Sequence, residues 1–264
     1  MEQVRVYDAI KASQENSLKL EDKLVIEAPL QININNQPYT VVMRTPGDDK
    51  YLIRGLLFAE DIYKKYDNFN AERIDEDEYF NNVIDITIAK SDLGKGYLNK
   101  RTLLSVSSCG ICGKKEIEDI KVEGSVLHNR LKLSFVDIQN MFDIMTRQQN
   151  AFKLTGGSHA CAIFDNNKSI ITSKEDIGRH NAVDKCIGHL LELNKLTQAS
   201  IMLVSGRVSY EIVSKAFFAK IPIIIAVSAC SSLAVDFAKE FGICLIGFTR
   251  QNKMTIYSNP QYII

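Results

Sequence analysis

Two thiols stand three residues apart in Ser107-Ser108-Cys109-Gly110-Ile111-Cys112-Gly113-Lys114. Glycines around the pair suit a thiol that must be approached closely or swing between two partners; a buried structural cysteine does not need them. Lys114 and Lys115 add positive charge, which favours thiolate over thiol and so nucleophilic sulfur. A zinc half-site would require two further ligands at short spacing. No second Cys-x-x-Cys or His-x-x-x-His is present, and His159 and Cys161 are the nearest candidates. A thioredoxin-like dithiol belongs near the start of its domain, whereas the apolar βα run here lies mostly after the pair. The residues favour a reactive thiol pair.

Further groups downstream could complete a site. Thr155-Gly156-Gly157-Ser158-His159-Ala160-Cys161 brings two glycines into a strand start, which allows close backbone approach to a ligand, with His159 available to contact it or assist a thiol. A zinc nucleobase deaminase would carry His-x-Glu here; Cys161 occupies the glutamate position and no Pro-Cys-x-x-Cys follows, so deaminase chemistry is not expected. In Glu175-Asp176-Ile177-Gly178-Arg179-His180-Asn181-Ala182-Val183-Asp184-Lys185, His180 and Asp184 share a helix face at i, i+4 and are read as a polar site wall. Ser205-Gly206-Arg207 and Ser228-Ala229-Cys230-Ser231-Ser232 each follow an apolar strand and open a helix. Free N–H groups at such turns favour phosphate, and Arg207 can bind it bidentately. Phe248-Thr249-Arg250-Gln251-Asn252-Lys253 follows the last core strand as a polar segment with two cations and two amides, suited to a nucleotide.

The elements that must position these groups fall into two patterns. Leu24–Asn33 and Tyr39–Arg44 read as strands joined by a hairpin through Asn35-Asn36-Gln37-Pro38, followed by a helix from Asp49 to Tyr63. Tyr66–Asn82 reads as a polar surface connection. Asn82–Ile88 and Thr102–Val106 read as strands, the second leading into the thiol pair. After Leu133 helices and strands alternate: helices 135–149, 178–193, 209–220 and 231–241, and strands 160–165, 169–172, 201–204, 222–227 and 244–248. That alternation predicts βα units with parallel pairing. The expected class is α/β, with a three-layer α/β/α sandwich in the C-terminal half and a smaller N-terminal α+β portion. The expected divisions are 1–104, a mobile Cys-x-x-Cys segment 105–125, and 126–264.

Lys+Arg and Asp+Glu balance at 32 each, so no global field draws nucleic acid or an anionic membrane, and any anion site must be local. The longest apolar run, 221–227, is far short of a membrane span, and the N-terminus lacks a signal-peptide pattern. Four of the six cysteines lie within apolar segments, which suggests reduced thiols and a cytoplasmic setting.

Taken together, Met43-Arg44-Thr45-Pro46-Gly47-Asp48-Asp49, Ser108–Gly113, Thr155–Ala160, Glu175–Lys185 and Ser205–Arg207 resemble, in order, the formate dehydrogenase accessory sulfurtransferase family, FdhD. The resemblance spans roughly residues 20–258 and implies a fold like that of cytidine deaminases without their zinc chemistry. It implies sulfur received as a persulfide from a cysteine desulfurase and passed to the molybdenum or tungsten bis-pterin guanine dinucleotide cofactor (Mo-bis(molybdopterin guanine dinucleotide)) of formate dehydrogenase. Cys109 would carry the persulfide and Cys112 would assist or share it. Phe248, Thr249, Arg250, Gln251, Asn252 and Lys253 match the family's cofactor-binding stretch, with Gly206, Arg207, His180 and Asp184 as further candidates. No resident metal and a homodimer are implied. A cofactor chaperone that handles no sulfur, and a dithiol oxidoreductase, are the competing readings.

Overall fold

The computed structural model describes residues 2–65, 70–76, 82–98, 124–250 and 253–264. Its centre is a six-stranded sheet in the order β12-β11-β10-β9-β7-β8. The strands are β7 (His159–Phe164), β8 (Ile170–Asp176), β9 (Ile201–Val204), β10 (Ile223–Ala226), β11 (Cys244–Arg250) and β12 (Lys253–Ser258). Ile201–Val204 and Ile223–Ala226 are buried at every position, as expected of central strands covered on both faces. Alternate residues feed two cores. Met202, Val204, Ile224 and Leu245 pack under α4 (Arg179–Glu192), α5 (Tyr210–Phe218) and α6 (Ser232–Glu240). Ile201, Leu203, Ile223 and Ile246 face Ile138, Met141 and Met145 of α2 (Phe135–Gln148).

The expected parallel pairing holds only for β9, β10 and β11. β7 is antiparallel to both β8 and β9, and β12 is antiparallel to β11. The reason is local: Asp165–Ser169 makes a tight turn between β7 and β8, and only two residues separate β11 from β12. α2 starts at a capping box in which Ser134 Oγ accepts the Asp137 N–H and the Asp137 carboxylate accepts the Ser134 N–H.

The N-terminal portion has a four-stranded sheet ordered β4-β3-β6-β5: β3 (Ala28–Ile34), β4 (Gln37–Arg44), β5 (Asn70–Glu76) and β6 (Asn82–Thr87). Asn35 and Asn36 turn the β3–β4 hairpin with φ of 53° and 61°, left-handed values that asparagine tolerates. Leu30, Ile32 and Ile34 bury one face of β3 against Leu52, Ile53, Leu56 and Leu57 of α1 (Asp49–Ala59). α1 ends earlier than the expected Tyr63, because Asp61 turns left-handed (φ 57°) and the Ile62 and Tyr63 N–H groups fold back onto Leu57 O. The expected 66–82 connection is corrected too: residues 70–76 form an edge strand. A two-stranded ribbon of β1 (Val4–Ala12) and β2 (Ser17–Val25), missed in the sequence, packs beside α3 (Asn150–Thr155).

α1 lies directly on α4, and glycines make the approach possible. A Cβ at Gly55 would fall 2.0 Å from Asp184 O, and one at Gly188 would fall 1.9 Å from Tyr51 O. Among the described residues no helix is long and apolar enough to cross a membrane. The expected strand 102–106 and the Cys109/Cys112 pair lie outside the described residues.

Candidate functional site

The carboxyl ends of β8, β9 and β10 and the amino end of β7 meet at one edge of the central sheet. Main-chain bonds tie their turns into a rim: Ser205 N to Ala160 O, Val208 N to Ala229 O, Ser231 N to Val208 O, and Phe248 N to Ser228 O. Such edges of open α/β sheets are where ligands commonly bind.

His159, Arg179, Gly206 and Arg207 converge there. A Cβ at Gly206 would lie 3.1 Å from Arg179 Cβ, 3.2 Å from its Cδ and 3.3 Å from His159 Nδ1. The glycine therefore lets the turn after β9 settle between the arginine stem and the imidazole. Ser205 Oγ accepts the Ala160 N–H at 2.9 Å and sits 3.5 Å from His159 Nδ1. Burial first, then the Arg179 and Arg207 guanidiniums, hold His159 below the usual histidine range, while Asp176 pulls the other way. Arg207 is exposed and Arg179 half-buried, with its Nε enclosed and unbonded. Neither guanidinium forms an ion pair or hydrogen bond with the described residues. Two guanidiniums without carboxylate partners among the described residues leave local positive charge at this edge.

Most other charged groups of the sequence motifs are consumed internally. Asp176, fully buried, accepts from Gly178 N (2.8 Å) and Asn181 Nδ2 (2.9 Å) at Oδ1. At Oδ2 it accepts from Thr45 N (3.1 Å) and pairs with Lys185 Nζ (2.8 Å). Lys185 also donates to Thr45 O, Asn181 to Met43 O, and Ile177 N–H to Thr45 Oγ1. Arg44 holds Asp49 through two nitrogens, at 2.9 and 3.0 Å. The motif 43–49 thus latches the N-terminal sheet onto the start of α4. Glu175 accepts the Ala151 and Phe152 N–H groups at the start of α3 and the Ser158 hydroxyl.

His180 and Asp184 are expected as a polar site wall. Both are buried, because the face they share turns towards α5 rather than solvent. Asp184 pairs with Lys215 Nζ at 2.5 Å. His180 Nε2 meets both Ser209 Oγ and Glu211 Oε2 at 3.1 Å. With hydroxyl and carboxylate on the same ring nitrogen, this is not the relay of a serine hydrolase, which uses opposite nitrogens. Phe248, Thr249 and Arg250 lie within β11 and Lys253 starts β12, which pairs with it antiparallel; Gln251 and Asn252 lie outside the described residues. Phe248 takes φ 53° at a bulge, which leaves its ring 41% exposed beside the rim. Gly206 and Arg207 stand where expected, on the turn after β9.

Sequence reasoning gives Arg179 and Asp176 no role of their own. The available signal was Gly178, which opens the helix and so places Arg179 at its first turn. Among the described thiols, burial pushes Cys230 up to about 11 and Cys244 up to about 12, and drives the fully buried Cys161 upward, away from thiolate. Cys161 is fully buried within β7.

The sequence signature of the FdhD/NarQ family matches residues 25–264. The chain belongs to the FdhD/NarQ family. Among its relatives, the sulfur carrier protein FdhD of Picrophilus torridus is 39% identical over 251 residues, covering 93% of each chain. That of Saccharolobus solfataricus is 36% identical over 264 residues, covering 98% of each. A crystal structure from Desulfotalea psychrophila, described as a formate dehydrogenase accessory protein, superposes with a TM-score of 0.77 over all of both chains at 20% identity, which shows a shared fold.

Proposed function

We propose that the protein accepts sulfur as a persulfide on Cys109, with Cys112 assisting or sharing it, from a cysteine desulfurase. It delivers that sulfur to the molybdenum or tungsten bis-pterin guanine dinucleotide cofactor of formate dehydrogenase, which is bound as substrate. In loading, the Cys109 thiolate attacks the outer sulfur of the donor persulfide, the donor S–S bond breaks, and the donor cysteine leaves as thiolate. The observation that carries the reading is the pair of guanidiniums, Arg179 and Arg207, that face the sheet edge without carboxylate partners among the described residues. Phosphates of a dinucleotide supply the anions they lack, Gly206 allows close approach, and the exposed Phe248 ring offers a base a face to stack on. The same reading takes the central sheet as a deaminase-like sandwich without zinc chemistry, in a cytoplasmic homodimer.

The test is intact-mass measurement after incubation with a cysteine desulfurase and cysteine. A gain of about 32 Da per sulfur that dithiothreitol removes is expected, and it is lost in the Cys109→Ala/Cys112→Ala variant. Formate dehydrogenase matured with the Cys109→Ala/Cys112→Ala variant should stay inactive; full activity would favour a chaperone that handles no sulfur. A reversible Cys109–Cys112 disulfide with no sulfur loading would favour an oxidoreductase.

A further inference from the structure

We infer that binding of a multiply charged phosphate anion between Arg179 and Arg207 is coupled to uptake of a proton by His159. The inference rests on the reading of this rim as the nucleotide end of the cofactor site. His159 opens β7, and Gly206 places the imidazole and the Arg179 stem on either side of one point, 3.1–3.3 Å from each. Ser205 Oγ already accepts the Ala160 N–H, and among the described residues His159 Nδ1 is the acceptor within its reach. The neutral ring then carries its proton on Nε2, the nitrogen left for a ligand; the proton taken up goes to Nδ1, and the Ser205 hydroxyl turns to accept from it.

The charged groups around the ring come from three elements. Arg179 reaches it from α4 and Arg207 from the turn after β9; Asp176 is its cross-strand partner on β8. Asp176 is committed to Lys185, Thr45, Gly178 and Asn181, and neighbouring Glu175 to the start of α3 and Ser158, so neither carboxylate offsets the two guanidiniums fully. In the free protein burial and those cations hold the imidazole neutral near pH 7. A phosphate dianion between the arginines cancels their field and adds attraction of the opposite sign, so the charged imidazole becomes the favoured form. Because the histidine pKa is higher in the complex than in the free protein, affinity is greatest at low pH. It falls by up to about tenfold per pH unit through the window between the two values.

The experiment uses GDP as the probe and the full chain, titrated calorimetrically near pH 7 in two buffers of different ionisation enthalpy. The unaltered protein should take up at least about half a proton more per GDP than His159→Gln, a difference from which the probe's own phosphate titration cancels. Equal uptake by the two proteins overturns the coupling. On the unaltered protein, the His159 ring Cε1–H resonance should titrate at higher pH with GDP than without it, and an unchanged midpoint overturns the coupling independently of any variant. GDP binding without proton uptake refutes the coupling alone; no GDP binding by the unaltered protein refutes the nucleotide-site reading and the coupling with it.

Discussion

Asp176→Asn keeps the shape of the side chain and removes its charge, at a position with no exposure. Each carboxylate oxygen faces two donors: Gly178 N and Asn181 Nδ2 at one, Thr45 N and Lys185 Nζ at the other. An asparagine amide can satisfy one side only. Its NH2 group must meet either a neutral donor pair or a backbone N–H together with a buried ammonium, so two hydrogen bonds are lost in either orientation. Lys185, itself fully buried, loses its counter-charge at the same time. Breaking a buried pair from one side costs about 3–5 kcal/mol, and the expected loss lies in that range. The assay is urea unfolding followed by far-ultraviolet circular dichroism, comparing midpoints at unchanged slope. The Asp176→Asn/Lys185→Met double variant should cost less than the sum of its two single variants, since neither half is then left charged and alone. A loss below about 1 kcal/mol in Asp176→Asn, or additive single variants, would refute the argument that this pair locks residues 43–49 to α4.

Gly188→Ala should destabilise by about 3 kcal/mol or more in the same assay, because its Cβ would fall 1.9 Å from the Tyr51 carbonyl oxygen, which belongs to backbone and cannot step aside. Gly156→Ala is the contrast: nothing lies within 4 Å, so only the left-handed backbone (φ 66°) resists, at a cost of about 1 kcal/mol. Lys168 first, then the Ser134 N–H, hold the Asp137 carboxyl down at about 2, from an ordinary 3.8. Its folded value is depressed, so the stabilisation is complete above the ordinary value and fades as pH falls towards 2. Asp137→Asn should therefore lower the urea midpoint at pH 7, and the gap to the unaltered protein should narrow between pH 4 and pH 2.5.

The C-terminal helices and strands were legible because burial on two faces writes itself as apolar runs: Ile201–Val204 and Ile223–Ala226 admit no other placement. The β1–β2 ribbon was not, because its residues are largely exposed and carry no clear alternation. Residues 70–76 were hidden for a related reason: an edge strand rich in charge reads as a loop. Strand direction also escaped, since an apolar run carries no sign of whether its neighbour is parallel. In the site, Gly206 and Arg207 were legible from a turn between strand and helix. The burial of His180 and Asp184 was not legible, because polarity on one helix face looks the same whether that face meets solvent or the ionic side chains of another helix, here Glu211 and Lys215.

That ambiguity bears on which charges can act on a ligand. Arg44, Lys185 and Lys215 carry the same formal charge as Arg179 and Arg207, and each has a carboxylate within 3.0 Å. Their fields are largely spent inside the fold, where they fix the N-terminal sheet, α4 and α5 in register. Arg179 directly follows Gly178, whose N–H is held by Asp176. The buried network therefore aims the arginine without neutralising it. Arg179 and Arg207 differ from these cations in standing at the sheet edge without a carboxylate partner among the described residues, so their fields are free to act outside the fold.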